Sequence, residues 1–199
     1  MNDEKVMRRV AFDFSKTSSL VQTIMLALIA LVVPAFIQQL LKVSPLANNA
    51  QYIVGSIVNT ALIVAAINLK GWGRIAPIIT MPSIATVLSG LIFGPWSMPM
   101  VYMIPAIWVG NFLLVFSYKL FFLKLKFNYS LAGVIGIALK VLVIFGFFSI
   151  LNKVGIIPEK ALATLTSAMG VTQIITATIG MFASSVIYEI ENKKWNKAN

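Results

Sequence analysis

Apolar residues in this chain do not alternate with polar ones; they run in blocks. Six blocks reach roughly 20 residues, the length a helix rising 1.5 Å per residue needs to cross a bilayer. They are Leu20–Leu41, Ala50–Leu69, Ile75–Phe93, Met98–Phe122, Leu131–Leu151 and Thr164–Tyr188. The breaks, "KVSPLANN", "KGWGR", "GPWS", "KLKFNYS" and "NKVGIIPEK", collect proline, glycine, asparagine and charge, which stop or turn a helix. The pattern predicts an all-α polytopic membrane protein. A six-helix transmembrane domain occupies 20–190, between basic tails at 1–19 and 191–199.

The start, "MNDEKVMRRVAFDFSK", is charged over more residues than a signal n-region, and the apolar run after it is too long for an h-region. Val6, Val10 and Phe14 recur at helical spacing with Arg8 and Arg9 off that face. A short helix lying on the membrane surface fits this spacing, and a solvated basic tail fits it equally. Thr17–Ser19 stands where a cap for the first span belongs.

Composition agrees with the pattern. The 199 residues are 59% hydrophobic and 11% charged, whereas a soluble domain carries about 25% charged residues. The net charge is +10, and its distribution matters more than its size. Lys5, Arg8, Arg9, Lys16, Lys70, Arg74, Lys119, Lys124, Lys126, Lys193, Lys194 and Lys197 all fall on one side of an even-numbered bundle. Only Lys42, Lys153 and Lys160 fall on the other. Cytoplasmic loops carry the excess of Lys and Arg, so both termini are expected in the cytoplasm, with the basic loops against anionic lipid. No basic segment is interleaved with exposed aromatics, so a nucleic-acid partner is not expected.

The chain has no cysteine and no histidine. That excludes disulfides, thiolate nucleophiles, iron–sulfur ligation, the usual zinc sites, His-ligated haem and His-based acid–base catalysis. The spans also lack a clear Asp or Glu. An enzyme is not expected, nor a metal or cofactor.

One ionisable residue does lie inside a span. Lys140 stands near the middle of "LAGVIGIALKVLVIFGFFSIL". A charge at that depth costs roughly 2.5–3.5 kcal/mol by insertion data and marks a functional site by default. Glu189 and Glu191 lie at the inner end of span six and Glu159 in an outer loop, so a carboxylate at its own depth is missing. The negative group of a ligand would offset the cost; so would neutral acceptors with water, or a lysine carried uncharged. Gly133, Gly136 and Lys140 fall at i, i+3 and i+7, a thin face that packs closely and turns the lysine into the bundle.

Polar residues at similar depth occur on other spans: Asn59 with Ser56, Asn111 with Trp108 one turn before it, and Gln173 beside Thr172 and Thr176. Ser83, Thr86 and Gly90 share a face of span three. A single amide often only cross-links membrane helices, at about 1 kcal/mol or less. Lys140, Asn59, Asn111 and Gln173 on four helices together describe a polar pocket, and Thr86, Thr172 and Trp108 complete the candidate ligand-binding set. Trp108 reads either as a stacking wall or as lipid-facing filler. Pro77, Pro82 and Pro105 are expected to bend spans three and four around the pocket. Thr172, Thr176, Gly180 and Ser184 recur every four residues, a ridge for close packing inside the chain or against another membrane subunit.

The segments "GSIVNTALIVAA", "MPSIATVLSGLIFGP", "MIPAIWVGN", "GVIGIALK" and "QIITATIG" resemble the substrate-binding S components of energy-coupling factor (ECF) transporters, within a clostridial-type group of small membrane proteins. The resemblance covers most of 20–190. It implies an S-component-like six-helix bundle in a bacterial cell membrane, capturing a vitamin-like molecule from outside. It also implies a membrane T component and a pair of cytoplasmic ATPases as partners; the chain itself has no Walker motif. Partner docking in that family uses first-helix alanines four apart. The candidates here, Ala27 and Ala30, depart from that spacing; Thr176, Gly180 and Ser184 are the second docking candidates. Two readings stand: the capture subunit of an ECF-type transporter, for a small anionic or carbonyl-bearing ligand, and a non-catalytic anchor or assembly subunit of a larger membrane complex.

Overall fold

A computed structural model describes residues 16–41, 50–89 and 99–198, and all their regular structure is helical. The predicted surface helix in the first tail, the 42–49 connection and the "GPWS" turn lie outside the described residues. The elements are α1 (Lys16–Leu41), α2 (Ala50–Asn68), α3 (Trp72–Ser89), a 3-10 turn (Pro99–Met103), α4 (Ile104–Ser117), a π-helical turn (Tyr118–Lys124), α5 (Tyr129–Lys153), α6 (Glu159–Met169) and α7 (Val171–Ala198). Among the described residues, four stretches are long and apolar enough to cross a membrane: Ala50–Asn68, Met100–Lys124, Tyr129–Lys153 and Glu159–Lys193. α1 carries a shorter apolar run, Thr23–Val33. The chain is an all-α, multi-pass membrane protein.

Two expectations need correction. The sixth apolar block is not one rod: α6 ends at Met169, and Gly170 (φ −104°, ψ −97°) breaks the path before α7. Gly170 sits against the Phe145 ring, where an added Cβ would come within 3.3 Å of it. α7 runs on through the basic segment to Ala198. Pro105 does not bend a helix interior. It stands in the first turn of α4, where its missing N–H has no intrahelical partner to lose. Pro77 and Pro82 do lie inside α3.

The turns follow from local chemistry. Gly71 adopts φ +86° between α2 and α3, a conformation side chains resist. Lys126 (φ +58°) ends the chain segment after the π turn, and the Asn128 side chain then caps α5 by accepting the Leu131 N–H at 2.6 Å.

Residue pairings set the helix directions. Gly55 meets Thr176 and Asn59 meets Gly180, so α2 and α7 run parallel. Gly110 meets Ile144 while Gly136 meets Leu114 and Ser117, so α4 and α5 are antiparallel. Trp108 reaches Ser83 and Asn111 reaches Ile79, which makes α3 antiparallel to α4. Lys70, Arg74, Lys119, Lys124, Lys126 and Lys193 therefore gather at one end of the bundle, with Lys153 and Lys160 at the other.

α2 is the central helix: 61% of its most apolar stretch is buried, against 33% for α5. The small-residue ridge of α7 packs on it. A Cβ on Gly180 would lie 2.6 Å from Asn59 Cβ and 2.9 Å from the Thr60 backbone nitrogen. Thr172, Thr176 and Ser184 are buried, and Ser184 shares a 2.6 Å hydrogen bond with Tyr129 of α5. The close packing that this spacing predicts is thus made within the chain. Ala30 is buried as well, and Ala27 packs partly buried against the same core.

That core includes Leu62, Ile63, Ile75, Ile78, Leu114 and Tyr118. A second core joins the 3-10 turn, α5 and α6 through Met100, Met103, Ile144, Phe148, Leu165 and Met169. The candidate site lies where the two meet.

Candidate functional site

α5 carries Lys140 inward one turn beyond Gly136. Its stem lies against Gly110 of α4, where an added Cβ would stand 3.3 Å from Lys140 Cγ. The residue is 3% exposed. Its Nζ donates to Asn59 Oδ1 at 2.6 Å. Among the described residues no carboxylate lies beside it. Glu191, on α7, instead accepts from Asn68 at 3.3 Å near the basic end.

Asn59 is held by a relay. Its Nδ2 donates to the Gly55 carbonyl at 2.9 Å and to Thr176 Oγ1 at 3.3 Å. Thr176 in turn donates to the Thr172 carbonyl at 2.8 Å. With both amide protons engaged, Oδ1 is the atom left to meet the ammonium. The i−4 carbonyls of α2 and α7 therefore orient one acceptor for one buried lysine. Among the described residues Asn59 is the one hydrogen-bond partner of the Lys140 nitrogen.

Lys140 and Asn59 open onto a cavity of about 100 Å³. Asn111, Gln173 and Thr86 also line it, together with Gln51, Gly55, Pro82, Ser83, Met100 and Met169. Asn111, 2% exposed, donates through Nδ2 to the Ile79 carbonyl at 3.2 Å and so fixes α4 to α3. Gln173 donates to the Ala168 carbonyl at 3.2 Å, tying α7 back to α6 across the Gly170 break. Thr86 donates to the Pro82 carbonyl at 2.8 Å.

Five of the seven predicted ligand-binding residues thus share one cavity. Two do not line it. Trp108 stands behind the wall: its indole N–H donates to Ser83 Oγ at 2.7 Å, bracing α4 against α3. Thr172 is buried behind Thr176 and contributes its backbone carbonyl to the relay.

Gln51 and Ser83 are wall residues outside the predicted set, and both left a signal. Gln51, Gly55 and Asn59 recur every four residues, one stripe of α2, and Ser83 shares the Thr86 face of α3.

One lysine, four carboxamides and two hydroxyls line an otherwise apolar wall, a set that suits a negative or carbonyl oxygen. No group of three His, Cys, Asp or Glu is present among the described residues.

Fold and site together define the class: a multi-pass helical membrane protein with a small, largely apolar cavity that one buried lysine and several carboxamides line. No protein-family model, curated protein or solved structure matches the chain. The resemblance to S components rests on the segments quoted above and enters only as a proposal.

Proposed function

We propose that this protein is a ligand-capturing, non-enzymatic membrane subunit, of the S-component kind that serves an ECF-type uptake transporter. In this reading six helices cross the membrane, both termini are cytoplasmic, and partners would supply the T component and the ATPase pair. The observation that carries it is Lys140: a buried cation with one neutral partner, facing a cavity lined by carboxamides. A carboxylate, phosphate or electron-rich carbonyl would take up its remaining donors. Asn111 and Gln173 would orient the polar edges of the same molecule.

The cavity size limits the ligand. At about 100 Å³ it is smaller than the roughly 150 Å³ void that admits benzene. It therefore accommodates a compact anionic group, and a vitamin-sized molecule requires the wall to open. Met169 and Gln173 stand on either side of the Gly170 break, so α6 is the wall element with a joint beside the cavity.

Native mass spectrometry of the gently extracted protein tests the proposal. The expected result is a bound small molecule that is lost from Lys140→Met and weakened in Asn111→Leu, both variants still folding and unfolding cooperatively. A molecule retained unchanged by Lys140→Met would remove Lys140 from binding. A protein partner with no small molecule would favour the anchor or assembly reading instead.

A further inference from the structure

At the basic end, outside the cavity, Trp72, Phe112 and Phe116 form one aromatic strip on the outer surface. Trp72 opens α3; Phe112 and Phe116 are one turn apart on α4. Ring centroids lie 5.0 Å apart for Trp72–Phe112, 5.8 Å for Phe112–Phe116 and 6.5 Å for Trp72–Phe116. All three stay exposed, at 43%, 39% and 36%. Lys119 lies in the π-helical turn that follows α4, and its Nζ stands 5.8 Å from the Trp72 ring centroid. A 2.9 Å hydrogen bond to the Leu69 carbonyl, just past the end of α2, holds that ammonium in place. Lys70, exposed, and Arg74, half-buried, flank it on the α2–α3 turn. At the same end of the bundle Glu191 on α7 accepts from Asn68.

We propose that this face is a binding site for an anionic phospholipid, with its headgroup phosphate between Lys70 and Lys119 and an acyl chain along Trp72, Phe112 and Phe116. Scattered surface cations attract anionic membrane in general. Here one cation is pinned by a backbone carbonyl directly over an aromatic strip that continues down the apolar span. An acidic protein segment would match the cations but leave the strip uncovered. A molecule with a negative head and an apolar tail matches both. The site is independent of any ligand at Lys140.

Tryptophan quenching tests it on the full-length protein in vesicles. Acyl-brominated phosphatidylglycerol and acyl-brominated phosphatidylcholine are compared, and subtraction of Trp72→Phe isolates Trp72 from the other three tryptophans. The expected result is quenching of Trp72 by the anionic lipid at a several-fold lower mole fraction than by the zwitterionic one. Lys70→Gln, at an exposed position, should cut that preference about fivefold, and Lys70→Gln with Lys119→Gln should nearly abolish it. Equal quenching by both lipids would overturn the proposal, as would a preference that survives the double variant. Protection of Trp72 from both lipids would overturn it too, because a protein would then cover the face.

Discussion

Replacing Asn59 by leucine and Lys140 by methionine removes the same hydrogen bond from opposite sides, and the two losses should differ. In Asn59→Leu the ammonium stays 3% exposed and loses its partner, the Asn59 oxygen at 2.6 Å. Stranding a buried charge costs about 3–5 kcal/mol. In Lys140→Met the stranded group is a neutral amide oxygen beside the cavity, at about 1–3 kcal/mol, and a buried charge disappears with the bond. The Asn59 amide protons keep their partners on Gly55 and Thr176. Asn59→Leu should therefore be the less stable variant by about 2 kcal/mol. The double variant should recover part of that loss, since no charge remains to be stranded. Unfolding by sodium dodecyl sulfate in mixed micelles, followed by circular dichroism, measures all three. Equal destabilisation by the single variants would refute the picture of a charged lysine held by one neutral acceptor. A double variant worse than Asn59→Leu would do the same.

Three further outcomes follow from the packing. Gly180→Ala pushes a methyl into the Asn59–Thr60 backbone and should cost about 1–3 kcal/mol; Gly146→Ala, with open space around it, should not destabilise, and equal melting of the two would show that α2 and α7 do not meet as described. Trp108→Phe keeps the ring but loses the 2.7 Å bond to Ser83, for an expected loss of about 1 kcal/mol in the same titration, without loss of bound ligand. The native chain is free of cysteine, so single cysteines report orientation directly: Lys126→Cys should react with a membrane-impermeant maleimide only after lysis and Lys153→Cys in intact cells, and the reverse pattern would invert the proposed topology.

The sequence by itself determined the class of fold, the blocks that become helices and the identity of the anomalous lysine. Those properties are local. Bilayer thickness sets the block length, glycine, proline and charge mark the breaks, and Lys140 stands out against any apolar run. The spacing of Thr172, Thr176, Gly180 and Ser184 also announced a close helix contact. Tertiary structure alone decided what each feature meets. Asn59 lies 81 residues from the lysine it serves, and nothing local chooses it over Asn111 or Gln173. Trp108 reads as a wall or as lipid-facing filler until Ser83 is found beside it. Gly170 reads as a tolerated glycine in an apolar run until Phe145 and the turn of α6 are in place. The physical reason is common to all three. A helix that is apolar on every side carries little periodicity, so its rotation and neighbours are set by packing between helices rather than by an amphipathic face.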